Sequence, residues 1–162
     1  MAGYVELTVS IDRQELTARR VDGGEDRFAI STAAAGAGNV SDSLKTPLGE
    51  HEIRARIGAG APVNAVFSGR RATGELWTPA ASRAAPQRDW ILTRILWLTG
   101  RESGINRGSG VDTLSRYIYL HGTPDDTRLG TPGSHGCIRM RNADIVSLFD
   151  RVAVGMRVKV DA

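Results

Sequence analysis

Hydrophobic and polar residues alternate along much of the chain. Tyr4, Leu7, Val9 and Ile11 have polar neighbours, and residues 15–21 alternate again after the polar turn Asp12-Arg13-Gln14. A period of two collects side chains on one face of a strand, so 4–11 and 15–21 are predicted to form a β-hairpin. Asp22-Gly23-Gly24 marks a second turn, followed by a strand over 27–32 and a loop rich in glycine and serine over 36–45. Thr46-Pro47-Leu48-Gly49 reads as a rigid chain reversal ahead of a strand over 51–57, because proline fixes φ and glycine permits a positive one.

Between 58 and 89, glycines at 60, 69 and 74 and prolines at 62, 79 and 86 predict hairpin fragments and a long loop, of the kind that covers sites. Ile91 to Leu98 is apolar and too short for a helix, so a buried strand is expected. A glycine-rich stretch over 100–110 leads to a second short apolar strand, Tyr117 to Leu120, which delivers His121 and Gly122 at its end. One substantial helix is predicted from Asn142, as N-cap, to about Val152, with Ile145, Leu148, Phe149 and Val152 on one face. Gly155 breaks it, and 156–160 closes the chain as a strand. The class is mostly β with one substantial helix, and residues 1–162 read as a single domain.

Composition narrows the function only a little. With 21 basic and 18 acidic residues, the formal charge of +3 is too small to suggest nucleic-acid binding, and Arg19-Arg20 and Arg70-Arg71 read as isolated surface pairs. No run is long and apolar enough to span a bilayer. The first residues enter a strand with no export signal, so a cytoplasmic protein is expected, with a periplasmic one as the alternative if a leader is removed. The single cysteine excludes an internal disulfide.

That cysteine carries the chemistry. Cys137 lies in Ser134-His135-Gly136-Cys137-Ile138-Arg139, between a loop containing Gly130, Pro132 and Gly133 and the predicted helix. A lone cysteine is more often a small buried hydrophobe, but an imidazole within reach favours the thiolate and can return its proton to a leaving amine. His121, sixteen positions earlier, and His135, two positions earlier, are both candidates, and spacing does not choose between them. Gly136 would let a substrate carbonyl approach backbone N–H groups, an oxyanion hole, or would merely make a tight turn. Arg139 suits a substrate carboxylate or an ion pair with Asp144. Metal binding is the weaker reading, since no HExxH or paired CxxC accompanies His51, His121, His135 and Cys137, and no cofactor is called for.

His121-Gly122-Thr123 and Ser134-His135-Gly136-Cys137-Ile138-Arg139 together resemble the signature of the YkuD-type L,D-transpeptidases, and the resemblance extends from about Tyr4 to Val160. It implies a β-sandwich-like catalytic domain of mixed sheets. It also implies a cysteine acyltransferase that attacks the third residue of a peptidoglycan tetrapeptide stem and expels terminal D-alanine, with carbapenems as covalent inhibitors. Carried over, Cys137 is the acyl carrier, His121 the base, and Gly122 the residue whose carbonyl orients the imidazole. Gly136 and Cys137 supply oxyanion N–H groups, while Ser134, His135 and Arg139 shape and line the substrate pocket. Relatives without an export signal act as L,D-carboxypeptidases on recycled muropeptides, so hydrolysis to tripeptide is expected ahead of 3-3 cross-linking. A non-catalytic peptidoglycan-binding module is the remote alternative, disfavoured because the motif is complete.

Overall fold

The alternating N-terminal segments fold as an antiparallel meander of β1 (Tyr4–Ser10), β2 (Glu15–Arg20) and β3 (Glu25–Ser31). The structure, a computed structural model, describes residues 2–162. Leu7, Val9, Leu16 and Ala18 are buried on the inner face, as the period of two requires. The chain continues through β4 (Gly49–Ile57), the short hairpin β5 (Ala65–Ser68) and β6 (Arg71–Leu76), and α1 (Pro79–Ala84). It then forms β7 (Ile91–Gly100), β8 (Tyr119–Gly122), β9 (Ile138–Met140), α2 (Asn142–Phe149) and β10 (Arg157–Asp161).

All ten strands belong to one mixed sheet. Eight of them run β4-β10-β1-β2-β3-β9-β8-β7, and pairing of β7 with β4 closes the ring. The expectation of mostly β structure in mixed sheets holds, with the two faces joined into a barrel-like closed sheet, which pairs both edges of each of those eight strands. β5 pairs with the first residues of β7 beyond the end of β4, so the β5–β6 hairpin stands outside the barrel as a flap. The barrel is filled by Leu7, Val9, Leu16, Ile30, Ile53, Leu96, Leu98, Leu120, Ile138 and Met140, and α2 adds Ile145, Leu148 and Phe149 to the same core. Each such side chain contributes about 1.5–3 kcal/mol by leaving water.

Three details differ from the sequence reading. Asn142 is not the N-cap: Arg141 holds that position without a side-chain cap, and Asn142 is buried in the first turn with its amide engaged elsewhere. The helix ends at Phe149 rather than Val152. The stretch over 58–89 contains α1, capped by Thr78 Oγ1 accepting from the Ala81 N–H at 3.2 Å and started by Pro79.

Candidate active site

β8 and β9 lie side by side and parallel, with Leu120 opposite Ile138 and His121 opposite Arg139. Leu120, Ile138 and Met140 point into the barrel. Alternation therefore sends Tyr119, His121 and Arg139 to the outer face, together with Cys137, two residues before Arg139. The flap roofs this face, where Ala65, Phe67, Ile95 and Tyr119 form a small apolar cluster against which Cys137 packs.

His121 is fully buried, and its Nδ1 lies 2.7 Å from the Gly122 carbonyl oxygen. A carbonyl only accepts, so Nδ1 carries the proton and Nε2 is left as the basic nitrogen. Nε2 is buried without a hydrogen-bond partner. Burial holds the imidazole below the ordinary histidine range and so keeps it neutral. Burial also pushes the Cys137 thiol up to about 12, opposed by the Tyr119 N–H, which donates to Sγ at 3.4 Å. The thiol itself donates to the Tyr117 carbonyl oxygen at 3.4 Å and not to His121. Thiol and imidazole thus share a face in their neutral forms without being hydrogen-bonded to each other.

A knot behind β8 fixes Gly122. Thr93 sits in a bulge of β7 at φ 74°, rare for a β-branched residue. Its hydroxyl donates to Asn142 Oδ1 at 2.7 Å and accepts from the Asn64 N–H at 3.0 Å, while Asn142 Nδ2 donates to Asn64 Oδ1 at 2.9 Å. Gly122 is wedged against this knot: a Cβ there would lie 2.3 Å from Asn142 Oδ1 and 2.6 Å from the Leu92 carbonyl oxygen. Nothing in the sequence singles out Thr93, and Asn142 reads as a cap because its residue type suits one.

The nucleophile turn is held from within. The Ser134 hydroxyl donates to the Cys137 carbonyl oxygen at 2.6 Å and accepts from the Gly136 N–H at 3.1 Å. Ser134 is 2% exposed and staples the turn from within. The Gly136 N–H, expected at an oxyanion hole, is already engaged by that hydroxyl. Gly136 itself has φ +132°, and its carbonyl accepts from Thr46 Oγ1 at 2.9 Å. Thr46 also accepts from the Ala33 N–H at 3.0 Å, so the segment read as a plain reversal anchors the nucleophile turn.

His135 leaves this turn in another direction. It is exposed and lines a groove of about 390 Å³ with Asp42, Leu44, Arg116 and Tyr117. Arg139 pairs with Asp89 at 3.0 Å and donates to the Gly133 carbonyl at 3.0 Å, so Asp144 is not its partner. Beyond it a second groove, of about 550 Å³, is lined by Arg83, Arg88, Trp90, Thr123, Asp126 and Arg139. His51 lies apart, bridging Gly49 and Thr113, and among the described residues no three His, Cys, Asp or Glu side chains gather as a metal site.

The family model for the YkuD-type L,D-transpeptidase catalytic domain matches residues 5–160. The chain belongs to this family. The probable L,D-transpeptidase YbiS of Escherichia coli K12 is 33% identical over 109 residues, 64% of this chain and 34% of that protein. The probable L,D-transpeptidase ErfK/SrfK of Salmonella typhimurium is 32% identical over 93 residues, 56% of this chain and 29% of that protein. The chain spans about a third of the length of these relatives. Among solved structures, L,D-transpeptidase 3 from Mycobacterium tuberculosis superposes with a TM-score of 0.60 at 17% identity, covering 99% of this chain and 62% of that one. LdtMt1 in complex with imipenem does so with a TM-score of 0.57 at 17% identity, covering 98% and 59%. At such identities the structures establish the fold alone.

Proposed function

We propose that this domain catalyses acyl transfer from peptidoglycan tetrapeptide stems through a thioester on Cys137, with water as the favoured acceptor. His121 Nε2 takes the thiol proton as Sγ attacks the carbonyl of the third residue. The imidazolium then gives that proton to the leaving amine of terminal D-alanine. Water, deprotonated by the same nitrogen, cleaves the thioester, releasing tripeptide and restoring the thiol. The observation that carries this reading is the buried, unpartnered Nε2 of His121 on the face of β8–β9 that also presents Cys137. A rotation of the thiol away from Tyr117 is the step that joins them. Arg139, already fixed by Gly133, offers its remaining donor capacity to a stem carboxylate.

Transpeptidation is the second reading, favoured by one observation. The groove on the His135 side shares Tyr117 with the thiol's surroundings and has Asp42 beside Arg116 on its wall, so an acceptor peptide carrying both an amine and a carboxylate would find room there. Hydrolysis needs only a water near the thioester, whereas aminolysis needs an oriented amine and exclusion of that water. Incubation with a disaccharide tetrapeptide, read by mass spectrometry, tests both. The expected result is release of D-alanine and accumulation of tripeptide, with 3-3 dimers a minor product. Abundant dimers would reverse the order of the two readings, and no product at all would refute both. A cytoplasmic compartment accompanies the hydrolytic reading, and cell fractionation tests it.

A further inference from the structure

The flap turns through only two residues. Gly69 and Arg70 both have positive φ, 54° and 66°, and join the paired residues Ser68 and Arg71. Glycine, asparagine and aspartate suit such a turn, and an arginine is held there against its backbone preference. Its side chain shows what holds it. Nη1 donates to Tyr119 Oη at 3.1 Å, and the guanidinium carbon lies 4.5 Å from the ring centre of Tyr117 and 5.1 Å from that of Trp97. Trp97 packs edge-on against Tyr119, with ring centres 6.1 Å apart. Tyr117 and Tyr119 are also the residues whose backbone carbonyl and N–H hold the Cys137 sulfur. Arg70 therefore ties the tip of the flap that packs on the thiol to the segment whose backbone holds the thiol.

We propose that Arg70 is a positioning residue that latches the β5–β6 flap against the half-buried Cys137, so that the sulfur becomes fully accessible only when this contact opens. The inference builds on the assignment of Cys137 as nucleophile. Cation–π and hydrogen-bond contacts at a half-buried site are individually weak, which suits a latch that must release. Opening would wet the sulfur and relieve the burial that keeps the thiol protonated. The titratable and charged groups around it are then His121, Tyr117 and Tyr119 from the β8 side, Arg139 on β9 and Asp89 ahead of β7, with Arg139 and Asp89 acting in opposite senses.

Alkylation of Cys137 by iodoacetamide, followed by intact mass from pH 6 to 10, reads the latch directly because the chain has one cysteine. Arg70→Gly is the informative variant, since glycine suits the turn and the hairpin is retained. Its alkylation rate at neutral pH should rise roughly tenfold, equivalent to about 1.4 kcal/mol. The rise of the rate with pH should move to lower pH while Tm stays within a few degrees of wild type. Arg70→Ala should behave alike, Tyr119→Phe should give a smaller rise, and Arg70→Lys should restore part of the protection. An unchanged rate and pH dependence in both Arg70→Gly and Arg70→Ala would overturn the latch, as would a rise matched by a general collapse of Tm. Peptide turnover by the wild type together with unchanged alkylation in the variants would refute the latch and leave the nucleophile standing. Faster alkylation in Arg70→Gly with no turnover by the wild type would do the reverse.

Discussion

At the scale of single residues the account rests on how His121 is held. Its Nδ1 proton is committed to the Gly122 carbonyl, which fixes the tautomer that leaves Nε2 basic. Replacing the ring by an amide leaves no group that can accept the thiol proton, so His121→Gln should lower kcat/KM by roughly 10²–10⁴-fold with little effect on KM. The pH dependence follows from the same burial. The base must be neutral, and burial lowers its pKa from 6.5, so the acid limb of the kcat/KM profile should lie below pH 6.5. A limb above that value would mean that another group, such as the exposed His135, is the base. Sequence spacing left His121 and His135 as equals. The structure separates them because Gly136, at φ +132°, redirects the chain between His135 and Cys137, a conformation that glycine permits and its neighbours on either side do not reveal.

At the scale of elements, the parallel β8–β9 pair brings the two halves of the motif together, and the knot behind it fixes their spacing. An Ala at 122 would press its Cβ onto Asn142 and the Leu92 carbonyl, and the strand would have to move away from Thr93. Gly122→Ala should therefore cost about 1–3 kcal/mol in denaturant-induced unfolding. It should also reduce kcat by more than its stability loss explains, because the carbonyl that orients His121 moves with it. Wild-type kcat in a destabilised variant would show that the carbonyl is not needed for orientation. The short apolar run at 117–120 identified a strand that ends on His121, and the outcome is a strand beginning two residues later at Tyr119. The bulge at Thr93 could not be anticipated, since a β-branched residue is a strong strand former and its positive φ is accompanied by non-local hydrogen bonds of its hydroxyl to Asn142 and Asn64. α1 was hidden by the prolines and glycines around it, although Thr78-Pro79 is a helix start in its own right.

At the scale of the whole molecule, the sequence showed the strands but not their closure, because the β4–β7 pairing joins segments far apart in the chain with no local signature. The loop between β7 and β8, which carries Tyr117, is secured to the start of β4 by buried polar groups. Asn106 donates to the Leu48 and Glu50 carbonyls, and His51 joins Gly49 to Thr113. His51 Nδ1 donates to the Gly49 carbonyl at 3.0 Å, and Nε2 lies 2.9 Å from the Thr113 hydroxyl, which donates to it in the neutral ring. Burial lowers its pKa from 6.5 to about 4. The unfolded chain binds a proton that the folded one refuses, so stability is full above pH 6.5 and declines as the pH falls towards 4, by roughly 3 kcal/mol from this residue. Thermal unfolding should show this decline in wild type, and His51→Gln should lower Tm at neutral pH yet flatten the acid slope. An unaltered slope would place the acid sensitivity elsewhere, with His121 the next buried imidazole that titrates in the same direction.

The central claim is that Cys137 carries the acyl group. Intact-mass spectrometry after exposure to a carbapenem tests it most directly, since acylation adds one inhibitor mass to a chain with a single thiol. Wild type should gain one adduct and Cys137→Ala none, with both proteins unfolding at similar temperatures. An unmodified wild type, or an adduct that persists in Cys137→Ala, would contradict the account.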